Sequence, residues 1–311
     1  MAEPGSPTCF SERVKSVGVV WSTVAMTNSR RLLLVHAHPD DEAIATGATI
    51  ARYAAEGVQV CLVTCTRGEY GDVVDGELAW LRDQGPDALG KHREGELAAA
   101  LAELGVHRHI WLGGPGRWWD SGMAGAPEND DPRAFMRADF ADAVREMVAI
   151  LRRERPAVVI TDDDHGSYGH PDHIQAHRVT VAAVDRAGDP AYAAELGEPW
   201  QVAKVYWSAL PRSWVRQLVA DGVFTLEDEM PGVPDEEITA RIDGRAYLPT
   251  KMAALRAHRS QVDLNNGPFA VVGHAPQFAL EHYRLFHGQR GPGKVDPYDW
   301  EDDLFAGLTE A

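Results

Sequence analysis

Short apolar runs alternate with amphipathic segments along most of this chain, and polar residues follow each apolar run. The runs rich in Leu, Val and Ile span residues 31–35, 58–64, 109–112, 157–161 and 205–209. Fully buried strands of parallel sheets have this composition, because both of their faces are covered. Between them, apolar residues at helical spacing predict helices over residues 43–55, 93–104, 140–155, 173–186 and 247–262.

Strands that alternate with helices form doubly wound sheets, so the pattern predicts an α/β, Rossmann-like fold with a mostly parallel sheet. The alternation weakens after about residue 197, where acidic and Gly/Pro-rich stretches follow. We therefore expect a catalytic domain over residues 31–200 and a smaller C-terminal region over residues 201–311. That region packs against the sheet and completes a site beyond the carboxyl ends of the strands, where such sheets bind ligands.

Residues 1–30 are unlike the rest of the chain, because Gly, Ser, Pro and Thr dominate their first part. We interpret them as a disordered N-terminal extension. A short apolar stretch over residues 17–26 leaves a signal peptide as an alternative, but polar residues interrupt it. Met26 lies just before the first predicted strand, so it is a candidate for the true start.

Charge and cysteine content limit the partners and the cellular compartment that we expect for this chain. The 311 residues include 47 Asp and Glu against 30 Lys and Arg, which gives a net charge of -17. A surface of that sign repels phosphates and anionic lipids, so we expect neither nucleic acid nor a membrane as a partner. The chain has three cysteines. A small, odd number argues against a disulfide framework, so we expect a cytoplasmic protein.

Two clusters of metal-ligand residue types follow the first and fourth predicted strands. The first runs from His36 to Glu42, and the second covers residues 162–173. Imidazole and carboxylate suit zinc or a similar divalent ion, and a catalytic site needs three protein ligands plus a position for water. His38, Asp41 and His173 would make that set. Two adjacent aspartates suit a division of labour, in which one ligates the metal and the other is the general base.

Each cluster alone has an ordinary structural explanation. Aspartates are common at helix N-caps, so Asp40 or Asp41 could cap the following helix, and Gly-His-Pro-Asp-His could be a turn. A nucleotide-binding sheet would need a Gly-rich turn after the first strand, but the first glycine there is Gly47. A structural zinc site would be richer in thiolates. Two clusters, both at the carboxyl ends of predicted strands, favour a catalytic metal site.

The motifs His36–Glu42 and Tyr168–His173 resemble those of the LmbE-like, zinc-dependent de-N-acetylase family, which includes N-acetylglucosaminyl-phosphatidylinositol de-N-acetylase. The resemblance runs from about Arg31 to the end of the chain. Leu112–Gly125 is similar to the branch that deacetylates N-acetylglucosaminyl-inositol in mycothiol biosynthesis. The sister branch, mycothiol S-conjugate amidase, tends to carry a Lys near the position of Ala45, so this alanine favours the deacetylase, with the amidase or another N-acetylglucosamine de-N-acetylase as the alternative.

The resemblance implies a metal centre and a base. His38, Asp41 and His173 match the ligands of a single zinc ion per subunit, and Fe²⁺ fits the same ligand types. Asp40 matches the general base, which takes a proton from the attacking water.

The resemblance also implies residues around the reacting amide. His170 matches a residue that stabilises the oxyanion, and Tyr168 matches a tyrosine close to it. Arg93 and Asp120 match positions that hydrogen-bond sugar and inositol hydroxyls, while Asp72 stands where the family usually has Glu. The implied partner is a small, uncharged sugar-inositol substrate, and no oligomeric state is predicted.

Overall fold

The computed structural model describes residues 30–223 and 232–308, so the expectations for the N-terminal extension lie almost entirely outside the described residues. Within those ranges the strands are β1 (Arg31–His36), β2 (Gln59–Thr64), β3 (Arg108–Trp111), β4 (Val158–Thr161), β5 (Lys204–Ala209), β6 (Ala240–Asp243) and β7 (Leu280–His287).

These strands form a seven-stranded sheet in the order β3-β2-β1-β4-β5-β7-β6. Strands β1 to β5 are parallel, whereas β7 is antiparallel to both β5 and β6. The predicted α/β fold with a mostly parallel sheet is therefore confirmed. Three of the strands come from beyond residue 200 and extend the same sheet. The division into a catalytic domain and a C-terminal region stays a prediction.

Helices cover both faces of the sheet. They are α1 (Asp41–Ala55), α2 (Trp80–Asp83), α3 (Pro86–Leu104), α4 (Phe140–Glu154), α5 (Pro171–Ala187), α6 (Arg212–Ala220), α7 (Leu248–Ala257) and α8 (Pro268–Val272). Side chains alternate between the faces along a strand. Leu32 and Leu34 pack with α1, α3 and α7, whereas Leu33 and Val35 pack with α4 and α5. No helix in the described ranges is long and apolar enough to cross a membrane.

Two boundaries of the predicted helices differ from the expected ones by more than two residues. Helix α3 begins at Pro86 rather than Arg93, because Gly85, with a φ of 83°, precedes a proline suited to a first helical position. Helix α7 ends at Ala257 rather than Val262. The next residue, His258, leaves the helix and places its ring against Glu42.

The strand order places two loops side by side. From β1 the chain passes to β2 and β3 on one side, while β4 pairs with β1 on the other, with Leu34 opposite Ile160. The order therefore reverses between β1 and β4, and ligands bind beyond the strand ends at such a point. Both predicted clusters follow these two strands.

Candidate active site

The loop after β1 is short, because β1 ends at His36 and α1 begins at Asp41. Most of its residues are buried. Asp41 Oδ2 accepts a hydrogen bond of 2.8 Å from the His38 main-chain N–H and lies 3.7 Å from His38 Nδ1. From the start of α5, His173 Nε2 lies 3.5 Å from the same oxygen. The structure thus brings together the three predicted ligands from two loops.

Carboxylates behind the histidines set the orientation of both rings. His173 Nδ1 lies 3.2 Å from Asp162 Oδ1, and His38 Nε2 lies 3.1 Å from Asp172 Oδ2. The Ser121 N–H and hydroxyl also donate to Asp172. A carboxylate on one ring nitrogen fixes the proton there and frees the other nitrogen to ligate a metal. The sequence assigned no role to Asp162 or Asp172; the usual pairing of metal-bound histidines with carboxylates was the available signal.

The ligand types fit a divalent cation. His173 Nε2 is buried and has no hydrogen-bond partner among the described residues, so it can ligate a metal once its proton leaves. Nitrogens of His38, His170 and His173 lie within 4.8 Å of one another, and His38 and His170 form a second such group with Asp120 and Asp172. Imidazole nitrogens and carboxylate oxygens at these separations suit zinc and related ions.

The carboxylates give the site a negative potential. Burial lowers the pKa of His38, but Asp120, Asp172 and Asp41 outweigh it and raise that pKa to about 9. Burial likewise opposes protonation of His173, whose pKa the neighbouring carboxylates raise to about 10. The negative potential that keeps these two histidines protonated when no metal is bound also attracts a metal cation. On binding, the cation takes the place of those protons.

Asp40 occupies the N-cap position of α1, but its carboxylate makes no capping hydrogen bond within the described residues. The helix-cap alternative therefore does not describe Asp40. Its φ of 108° is unusual for a residue with a side chain. Its Oδ2 lies 3.3 Å from Arg93 Nη2. Burial raises the pKa of Asp40 to about 6, although Arg93 opposes the shift.

His170 and Tyr168 approach the ligands from the loop after β4. His170 caps α5, and its Nδ1 accepts a hydrogen bond of 3.1 Å from the Asp172 N–H, which leaves the proton on Nε2. Burial and the neighbouring His38 lower the pKa of His170 to about 3, so its ring is neutral and Nε2–H is a donor. The Tyr168 side chain is 43% exposed, with its ring centroid 5.3 Å from that of His173.

The three predicted substrate-binding residues occupy different environments. Asp120 is buried in the cluster, with Oδ1 3.6 Å from His38 Nε2 and 3.7 Å from His170 Nε2. Arg93 is also buried and donates to the Pro39 carbonyl and, at 2.8 Å, to the Gly68 carbonyl. Asp72 is exposed in the loop after β2. The structure therefore brings Asp120 close to the predicted ligand His38 and Arg93 close to Asp40, while Asp72 lies at the surface.

A cavity of about 420 Å³ opens beside the ligands. Asp41, His173 and Tyr168 line it together with largely apolar side chains, among them Ile44, Ala45, Trp214, Phe269 and Phe278. The described residues that line the cavity do not include the three predicted substrate-binding residues. The predicted ligands therefore lie between an apolar cavity wall and the more polar surroundings of Asp120.

A buried pair behind Asp40 was not predicted. His258 Nε2 lies 2.7 Å from Glu42 Oε1, and neither side chain is exposed. The other Glu42 oxygen, Oε2, accepts a hydrogen bond of 2.9 Å from the Asp40 N–H. The helix predicted over residues 247–262 includes His258, but a partner 216 residues away has no local signal.

Comparisons with known proteins place the chain in a family. The family described as PIG-L: GlcNAc-PI de-N-acetylase matches residues 33–184. The 1D-myo-inositol 2-acetamido-2-deoxy-alpha-D-glucopyranoside deacetylase 2 of Saccharopolyspora erythraea is 58% identical over 277 residues, which cover 89% of this chain and 100% of that protein. A 1D-myo-inositol 2-acetamido-2-deoxy-alpha-D-glucopyranoside deacetylase of Geodermatophilus obscurus is 52% identical, covering 91% of this chain and 99% of that protein.

Solved structures share the fold. The N,N'-diacetylchitobiose deacetylase from Pyrococcus horikoshii gives a TM-score of 0.59 at 19% identity, covering 83% of this chain and 84% of that chain. A zinc-inhibited form of teicoplanin deacetylase gives a TM-score of 0.52 at 20% identity, covering 82% of this chain and 97% of that chain. At these identities the likeness shows the fold alone.

Proposed function

This chain belongs to the PIG-L family of GlcNAc-PI de-N-acetylases, and on that premise we propose that it is the deacetylase of N-acetylglucosaminyl-inositol in mycothiol biosynthesis. The substrate is 1D-myo-inositol 2-acetamido-2-deoxy-alpha-D-glucopyranoside, as in the names of the relatives above. The substrate follows from the likeness to those relatives, and the observation that carries the hydrolytic chemistry is the convergence of His38 and His173 on Asp41, next to Asp40.

The chain's own residues account for the proton movements of amide hydrolysis. When bound, the metal polarises the carbonyl and acidifies water. Asp40 accepts a proton from the attacking water, whose oxygen forms the new bond to the amide carbon. His170 Nε2–H donates to the oxygen that gains negative charge, and Tyr168 adds a second donor. The C–N bond then breaks, and the proton held by Asp40 passes to the leaving amine.

We propose zinc as the metal, one ion per subunit, with His38, Asp41 and His173 as its ligands. Two imidazoles and one carboxylate leave a position for water, as catalytic zinc sites require. Fe²⁺ is the second candidate for the same ligands. The free, buried thiols of Cys61 and Cys65 support a location in the cytoplasm, where thiols stay reduced.

On the substrate side, we propose that Asp120, Arg93 and Asp72 recognise the hydroxyls of the sugar and the inositol. The apolar cavity suits the methyl group of the acetyl. Ala45 lines that cavity, so a lysine near this position, as in the sister amidase, would add a charge beside Asp41. This placement favours the deacetylase over the amidase.

The test is release of acetate from N-acetylglucosaminyl-inositol before and after chelation, with metal analysis of the same sample. We expect acetate release that stops on chelation and returns with Zn²⁺. A mycothiol S-conjugate assayed in parallel should be the poorer substrate. Activity that survives complete metal removal contradicts the mechanism, and faster cleavage of the conjugate would make the chain an amidase.

A further inference from the structure

Glu42 links two parts of the molecule that are far apart in sequence. Its Oε1 lies 2.7 Å from His258 Nε2, while its Oε2 accepts the Asp40 N–H at 2.9 Å. An ionised carboxylate only accepts hydrogen bonds, so the shared proton lies on His258 Nε2. Both Glu42 and His258 are fully buried, where a carboxylate without partners would be costly.

The residue held by Glu42 has a strained main chain. Asp40 has a φ of 108° and a ψ of -31°, a conformation that side chains disfavour and that persists only where the surroundings impose it. Arg93 contacts the same residue from another direction, because its guanidinium donates hydrogen bonds to the Pro39 carbonyl and to Asp40 Oδ2. Strain of this kind is typical of residues whose direction matters for function.

We propose that His258 is a positioning residue for the reaction: by holding Glu42, it keeps the Asp40 main chain in the conformation that directs the Asp40 carboxylate into the site. This inference rests on the proposed role of Asp40 as the general base. His258 does not touch the reacting atoms and acts through Glu42. It is supplied by the end of α7, which packs against α1.

The local sequence supports a dedicated contact rather than incidental packing. The apolar pattern predicts a helix to Val262, yet α7 stops at Ala257 and His258 turns to reach Glu42. The alternative is a purely structural link between α7 and α1. In that case losing His258 would lower stability but would not change the conformation or the performance of Asp40.

The experiment compares His258→Ala with His258→Gln and His258→Asn in the full chain. Gln carries an amide N–H at about the reach of Nε2, whereas Asn is too short to contact Glu42. Leu255→Val is the matched control, because Leu255 is a fully buried residue of the same helix. For each variant we would measure kcat, KM, bound metal and the hydrogen exchange of the Asp40 amide.

We expect His258→Ala and His258→Asn to lower kcat on the order of 10²-fold, since a small misplacement of a reacting group has that effect. In these two variants KM and bound metal should change little, and the Asp40 amide should exchange faster. His258→Gln should restore most of the wild-type kcat and most of the protection of the Asp40 amide. Leu255→Val should keep the wild-type kcat per folded molecule. If His258→Ala fails to fold, the contrast between Gln and Asn decides.

The inference is overturned if Gln and Asn have equal kcat, or if the Asp40 amide exchanges equally in all variants. A wild-type chain that releases no acetate would instead refute the proposed function. In that event the exchange data alone judge whether His258 holds Asp40 in place, so the two failures are distinguishable.

Discussion

In the loop after β1, contacts of main-chain N–H groups hold Asp40 and Asp41 in place, whereas in the loop after β4 the proposed ligand His173 depends on another side chain. Asp41 Oδ2 accepts the His38 N–H, and the Asp40 N–H is held by Glu42 two residues later. In contrast, His173 is oriented by Asp162, which lies 11 residues earlier at the end of β4.

This difference bears on how each loop responds to substitution. In the first loop, a side chain that keeps its shape leaves the main-chain contacts intact, so chemistry can be changed without moving the ligands. In the second loop, changing Asp162 releases the ring of His173 and so weakens metal binding first. Substitutions in the two loops should therefore separate proton transfer from metal affinity.

The largest effect is expected from Asp40→Asn. The amide keeps the size of the carboxylate but cannot accept the proton of the attacking water, so kcat should fall by about 10²- to 10⁴-fold. Bound metal should be unchanged, because the three proposed ligands and their contacts remain. Steady-state kinetics and metal analysis of the purified variant check both points.

Glu56→Gln, an exposed position just after α1, is the matched control and should behave as the wild type. If Asp40→Asn loses its metal, Asp40 is a ligand, and the proposed division between the two aspartates is wrong. If it retains wild-type turnover, another group is the base.

A smaller effect, on a different quantity, is expected from Asp162→Asn. Loss of the charge behind His173 should weaken metal binding by about 10- to 100-fold, because removing the carboxylate partner of a metal-bound histidine typically has an effect of this size. With saturating metal, most of the activity should return, unlike in Asp40→Asn. A metal titration of activity measures this. Asp185→Asn, exposed on α5, is the control, and an unchanged titration midpoint for Asp162→Asn would break the contrast between the loops.

The sequence predicted the features that depend on residues close together in the chain, and it missed those that depend on contacts between distant residues. The five parallel strands and both loops have local signals, because each strand carries a short apolar run and the predicted ligands lie within short motifs. Strands β6 and β7 were missed; β7 reads Leu-Glu-His-Tyr-Arg-Leu-Phe-His, with polar residues throughout. The contact of His258 with Glu42 depends on how α7 packs against α1, which no local pattern specifies.

Arg93 shows the same limit within a helix whose existence was predicted, although its start was not. The family resemblance implied a residue near the site, and the structure places Arg93 beside Asp40. The contacts it makes, with the carbonyls of Pro39 and Gly68, depend on the loops after β1 and β2. Gly68 has a φ of 68°, and its Cα lies so close to the guanidinium that a side chain would collide with it. Such an approach of main chain to side chain is a property of the fold.

The smallest effect is expected from Tyr168→Phe, which tests whether the loop after β4 contributes to the reaction beyond holding His173. Partial burial and the nearby Asp41 and Asp40 carboxylates raise the pKa of Tyr168 well above its usual range, so its hydroxyl stays a donor. The ring is partly exposed and meets His170 and His173 edge-on, contacts that phenylalanine retains.

Losing one hydrogen bond to a developing charge costs about 1.5–3 kcal/mol, and exposure favours the lower end, so kcat should fall about tenfold. Because that bond exists only as charge develops, kcat/KM should fall equally while KM and bound metal stay constant. A rise in KM with unchanged kcat would instead make Tyr168 a substrate-binding residue.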